Sequence, residues 1–84
     1  MDKPRLTKDE FIITSRSDIG KEIHNYRSKK GYSQEQLADL MDISRTTISK
    51  IENGKFAISV DYLAKFAWHL DFDVRLLENN GHDI

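Results

Sequence analysis

Ser33-Gln34-Glu35-Gln36-Leu37-Ala38-Asp39-Leu40-Met41, followed by Asp42-Ile43-Ser44 and then Arg45-Thr46-Thr47-Ile48-Ser49-Lys50-Ile51-Glu52-Asn53-Gly54, is the stretch that decides the fold. Ser33 and Gln36 have the spacing of a capping box, in which each side chain takes up an open backbone N–H at a helix start. A short helix is therefore predicted over 34–41, with Leu37, Leu40 and Met41 on one face and small Ala38 beside them. Three residues are too few for an excursion, so 42–44 is a tight turn. Ser44 caps a second helix over 45–53, whose inward residues are Ile48 and Ile51, and Asn53-Gly54 ends it. Two short helices joined this closely must cross steeply. The crossing needs a small residue where the backbones meet, an apolar residue in the turn and an inward apolar face. Ala38, Ile43 and the pair Ile48/Ile51 supply them. Arg45, Thr46, Ser49 and Lys50 remain outward: hydrogen-bonding groups with no acid among them. Their 45/49 and 46/50 spacing gathers them toward the N-terminal end of the second helix. Open N–H groups and the helix dipole make such an end a site for phosphate or base acceptors.

Upstream, Ser15-Arg16-Ser17-Asp18 has capping-box spacing, and Ile19, Ile23 and Tyr26 recur at i, i+4, i+7. Lys29-Lys30-Gly31 closes that helix, predicted over 16–29, with cations at its negative end and a glycine for the left-handed cap. Residues 1–14 read as an N-terminal tail in which Phe11-Ile12-Ile13 forms a brief strand or a packing plug. Downstream, Ser59 caps a helix over 60–70 with the stripe Leu63, Phe66, Ala67 and Leu70 and with Trp68 on its flank. Phe72, Val74 and Leu76 then alternate with Asp73 and Arg75, the period of a strand; a short fifth helix using Val74 and Leu77 is the alternative. Residues 79–84 read as a frayed end. The organisation is a tail over 1–14, one domain over 15–71, and a C-terminal strand and tail over 72–84.

Composition narrows the function classes. Eighty-four residues make one small domain. There is no cysteine, hence no disulfide framework and no zinc finger. No apolar run approaches a membrane span and no apolar stretch follows the N-terminal residues, so a cytoplasmic protein is expected. His24, His69 and His82 lack metal-ligand spacing, the glycines at 20, 31, 54 and 81 are scattered, and no nucleophile elbow occurs. Neither a metal, a cofactor nor an enzyme is expected. Tyr32 and Phe56 border the central helix pair and are assigned to the core edge. The formal net charge is −1, but residues 1–55 hold 11 basic and 9 acidic side chains, while 56–84 hold two basic and five acidic. Nucleic-acid binding, if present, must come from that local asymmetry.

Gly31-Tyr32-Ser33-Gln34-Glu35-Gln36-Leu37-Ala38, continued by Ile43-Ser44-Arg45-Thr46-Thr47-Ile48-Ser49-Lys50-Ile51-Glu52-Asn53-Gly54-Lys55, resembles the phage Cro/repressor-type helix-turn-helix family, also called XRE. The resemblance covers roughly residues 15–71. It implies an all-α, compact, lambda-repressor-like domain of four helices, or five, here with a short C-terminal β-strand for dimerisation. It implies that 45–53 is the recognition helix, with Arg45, Thr46, Ser49 and Lys50 at base edges and Ser33, Gln34, Thr47, Asn53 and Lys55 on phosphates. It implies an ion pair between Arg27 and Glu52 that braces the first helix against the third. The family usually has glycine where Asp42 stands, so Asp42 is expected in the left-handed region, which Asp tolerates better than most residues.

A helix-turn-helix subunit reads half a site, and two-fold dimers place recognition helices roughly 34 Å apart. Dimerisation is assigned to Phe72, Val74 and Leu76, because an unpaired strand leaves its edge groups open. This ending is similar to high-persistence (HipB-like) antitoxins, which implies a small intersubunit sheet. Two functions follow. One is a repressor that binds a palindromic DNA operator as a homodimer and serves as the antitoxin of an operon with a HipA-like kinase toxin. The other is a stand-alone phage- or host-type regulator with no toxin partner.

Overall fold

A computed structural model of the chain describes residues 6–78. They form four helices: α1 Lys8–Lys30, α2 Gln34–Met41, α3 Arg45–Glu52 and α4 Val60–Leu70. Each start is capped. The side chains of Thr7, Ser33, Ser44 and Ser59 accept from the backbone N–H three residues on, and Thr7 and Ser33 complete capping boxes with Glu10 and Gln36. The ends follow the left-handed rule. Gly31 closes α1 at φ 78°, and Asp42 and Asp71 close α2 and α4 at φ 56° and 60°. Asp42 thus adopts the conformation expected where the family has glycine.

The core is one cluster of Ile23, Leu37, Ala38, Ile48, Ile51, Phe66 and Leu70. Ile43 packs against it from the turn, and Tyr32 and Phe56 seal its edge as expected. Phe56 stacks on Tyr62, which meets Phe66 edge-on with centroids 5.8 Å apart. The crossing of α1 and α3 is closer than side chains allow. A Cβ on Gly20 would lie 2.3 Å from the Ile51 carbonyl oxygen and 2.8 Å from that of Glu52. The loop after α3 also rests on α1, with Gly54 (φ 73°) against the Ser17 backbone.

Three expectations are corrected. The segment Phe11-Ile12-Ile13 is neither strand nor plug, because α1 starts at Lys8. Thr7 and Glu10 form a capping box of their own: Glu10 N–H donates to Thr7 Oγ1 at 3.1 Å, and Thr7 N–H donates to Glu10 Oε1 at 2.9 Å. Once nucleated there, the helix propagates through the β-branched residues, which have no strand partner. Ser15-Arg16-Ser17-Asp18 therefore lies inside the helix and caps nothing. Leu40 is half-exposed at 51%, not inward. At about 100° per residue it lies roughly 60° around α2 from buried Leu37 and roughly 160° from buried Ala38, which puts it at the margin of the buried face, on the side away from Ala38. Residues 72–78 form neither a strand nor a fifth helix within the chain. Phe72 turns back to stack on Tyr26 at 4.8 Å, and Val74 and Leu76 are exposed. A strand needs a neighbouring strand to pair with, and none exists among the described residues. The frayed end expected over 79–84 lies outside them. No helix among the described residues is long and apolar enough to cross a membrane.

Candidate nucleic-acid interface

α3 presents its polar face because its apolar residues fix the rotation. Ile48 and Ile51 are fully buried, so Arg45, Thr46 and Lys50 are turned out to solvent and Ser49 is half-buried. Ser44 holds the start of α3, accepting from Thr47 N–H at 3.0 Å, and its Oγ lies 2.8 Å from Thr47 Oγ1. One of these two hydroxyls donates to the other, so one hydroxyl hydrogen stays free whichever way they point. By helix geometry the Arg45 and Thr46 N–H groups have no acceptor within α3. Lys55 is exposed just past its end.

The only acid on α3, Glu52, is turned inward, with 5% of its side chain exposed. Arg27 donates to it twice, from Nε at 2.6 Å and Nη2 at 2.9 Å. Arg27 Nη1 donates to the Tyr32 carbonyl at 2.8 Å, which ties the start of α2 to the same pair. Burial pushes the Glu52 carboxyl up. Hydrogen bonds from Arg27, Gln34 and His24, with the guanidinium charge, outweigh burial and hold it below the ordinary glutamate value. Arg27 is raised, mainly by its hydrogen bond to Glu52. The expected ion pair is thus in place. With its charge neutralised there, the outer face of α3 carries cations and hydroxyls alone.

The expected phosphate contacts are arranged less simply. Ser33 is exposed, its Oγ accepting from Gln36 N–H at 3.0 Å. Its hydroxyl hydrogen remains available. Gln34 turns its side-chain amide to Glu52, Nε2 to Oε1 at 3.0 Å, so it is a member of the ion-pair cluster first. Asn53 Nδ2 donates to the Ser49 carbonyl at 2.8 Å and bridges to Ser49 Oγ at 3.4 Å. That joins a base-edge candidate to a phosphate candidate at the end of α3. His24 was not anticipated. Its Nδ1 lies 3.1 Å from both Glu52 Oε1 and Arg27 Nη2. Protonated there, it donates to the carboxylate; unprotonated, it accepts from the guanidinium. Its position three residues before Arg27 sets it beside the guanidinium on one helix face, but its approach to Glu52 spans 28 residues of chain. No group of three or more metal-ligating side chains occurs among the described residues.

Residues 23–77 match the model of the helix-turn-helix family. The chain belongs to that family, in its Cro/repressor (XRE) branch. The matched span runs from the core isoleucine of α1 through α2, the turn, α3 and α4. It leaves out the first four turns of α1. Among relatives, the competence pilus inhibition repressor of Acinetobacter baylyi is 41% identical over 57% of this chain and 46% of its own length. The HTH-type transcriptional regulator SinR of Bacillus subtilis is 35% identical over 77% of this chain and 60% of its own. The ImmF control region 10 kDa protein of Bacillus phage phi105 is 32% identical over 71% and 67%. The chain spans about half the length of the first two of these relatives.

Proposed function

We propose that this helix-turn-helix chain is a sequence-specific DNA-binding transcriptional repressor that reads a palindromic operator as a dimer and has no catalytic role. The observation that carries the reading is the acid-free outer face of α3. Glu52 is buried against Arg27, while Arg45 and Thr46 project from a capped helix start and Lys50 from the last turn of the same helix. The names of the relatives, a repressor and transcriptional regulators, support it. Arg45 offers a bidentate grip on guanine O6 and N7, and Thr46 a contact to a thymine methyl. Ser33, Thr47, Asn53 and Lys55 set register on the phosphates, and Gln34 does so with the amide hydrogen Glu52 leaves free.

The test is fluorescence anisotropy on the DNA upstream of the gene, against a scrambled duplex, across a salt series. Preference for the upstream DNA at physiological salt supports the reading, and equal binding to both overturns it. Arg45→Ala is expected to lose about 1–3 kcal/mol on the operator and relax preference at one base position. Equal losses on random DNA would reduce Arg45 to a phosphate contact. Lys55→Ala should weaken all sequences alike and reduce the salt slope by about one unit; a base-selective loss would refute that assignment.

Of the two finer roles, a stand-alone regulator requires nothing beyond α1 to α4. An antitoxin of the high-persistence type additionally requires residues 72–78 to act between subunits. Co-purification with the product of a neighbouring kinase-like gene selects the second, and its absence from such an operon selects the first.

A further inference from the structure

We propose that the first two and a half turns of α1 are a self-association surface, and that its occupant is a second copy of this chain lying antiparallel across a two-fold axis between Ile12 and Ile13. The surface would complete the dimeric reading above, but it stands on separate observations and is tested without DNA. α1 is 23 residues long, about 35 Å at 1.5 Å per residue. Its packing on the rest of the domain starts at Ser15, and every residue from 8 to 14 is exposed. Phe11, Ile12 and Ile13 are 57%, 43% and 61% exposed.

Ile12 and Ile13 lie on the side of α1 that faces the domain further along. Ile12, Ile19 and Tyr26 recur every seven residues, and the last two pack on the core. Ile13, Gly20 and Arg27 do the same, and the last two are buried. The core-facing side therefore continues past the edge of its own domain as an apolar overhang with nothing beneath it among the described residues.

The charges select the occupant. Asp9, Ile12, Ile13 and Arg16 stand at i, i+3, i+4 and i+7, one face of the helix. Reversing this octet exchanges Asp9 with Arg16 and Ile12 with Ile13. An antiparallel copy thus sets each isoleucine against an isoleucine and each Asp9 carboxylate beside the partner copy's guanidinium, twice per dimer. Within the chain, the ion pairs of the described residues join Glu52 to His24 and Arg27, Lys30 to Asp71, and Arg75 to Asp73. Asp9 and Arg16 belong to none of them. A parallel copy would oppose like charges, and an unrelated apolar partner would leave both unmatched.

Sedimentation equilibrium of the 84-residue chain in DNA-free buffer, with helicity checked by circular dichroism, decides it. The expected result is a reversible dimer. Asp9→Arg or Arg16→Asp alone should raise its dissociation constant about tenfold through like-charge contacts. The double variant Asp9→Arg/Arg16→Asp should restore it, because the swapped charges again face opposites. Ile13→Asp should raise the constant about 100-fold or more. A monomer at all concentrations overturns the proposal. So does a dimer indifferent to Ile13→Asp, or a double variant no better than the singles. A dimer lost only on Leu76→Ser/Leu77→Ser overturns it in favour of residues 72–78. If the charge swap behaves as stated while operator DNA is not preferred, this surface stands and only the DNA reading falls.

Discussion

Arg27→Ala is expected to destabilise the domain by about 3–5 kcal/mol, the range for removing one partner of a buried pair. Arg27 is 8% exposed and the Glu52 side chain 5%. Truncation leaves a dehydrated carboxylate held by Gln34 and His24 alone, and it strips the Tyr32 carbonyl of its donor. The cost is that of an uncompensated charge and is not the net value of the pair. Arg27→Met/Glu52→Met should accordingly regain most of the loss, falling short by about 1 kcal/mol for the Tyr32 carbonyl. A double variant as unstable as Arg27→Ala would show that the pair itself stabilises the fold. Urea unfolding measures all three.

The same pair sets an acid limb. Glu52 is held below its ordinary value in the folded chain. Its contribution is complete above the unfolded glutamate range, about pH 4.3, and is lost as pH falls from there through the lower folded value. Wild-type urea midpoints should fall across that window, and the Met/Met variant should lose this part of the slope.

Gly20→Ala should lower stability by about 2–3 kcal/mol, or the melting temperature by about 10–20 °C for a domain of this size. Helix propensity alone argues the opposite sign, since alanine in a helix interior gains about 0.5–1 kcal/mol over glycine. The structure decides between them. The new Cβ would sit 2.3 Å and 2.8 Å from two backbone carbonyl oxygens at the end of α3. Backbone cannot rotate away as a side chain can, so α1 and α3 must part, and Arg27 is drawn off Glu52. Thermal melts followed by circular dichroism check it. An unchanged or higher midpoint would mean that the α1–α3 crossing is looser than described.

These two positions mark where sequence reading reached and where it stopped. The central helix pair was legible because its signals are local. Ser33 with Gln36, Ser44, Asn53-Gly54 and the spacing of Ile48 to Ile51 each act within four residues, and the structure has each in its expected place. α4 was legible for the same reason. The start of α1 was misread although its signal was equally local. Thr7 and Glu10 have capping-box spacing, but the β-branched run behind them and the second apparent box at Ser15 drew the boundary eight residues late. Local preferences competed there, and the earlier nucleus won.

The candidate interface divides in the same way. The identity of the outward residues of α3 followed from its period, and the Arg27–Glu52 pair followed from family resemblance. That Gln34 and His24 also close on Glu52 could not be read from spacing, because they approach across 18 and 28 residues of chain. By itself, then, the sequence determined four helices' worth of local order: caps, C-terminal left-handed residues, apolar faces and the polar residues opposite them. Only the tertiary structure decided which glycine is a contact point, which polar groups are already spent on Glu52, that Phe72 folds back onto Tyr26, and that α1 overhangs the domain. The physical reason is range. Caps and helix faces are set by neighbours within one or two turns, whereas close approach and dehydration of a charge exist only once distant segments meet.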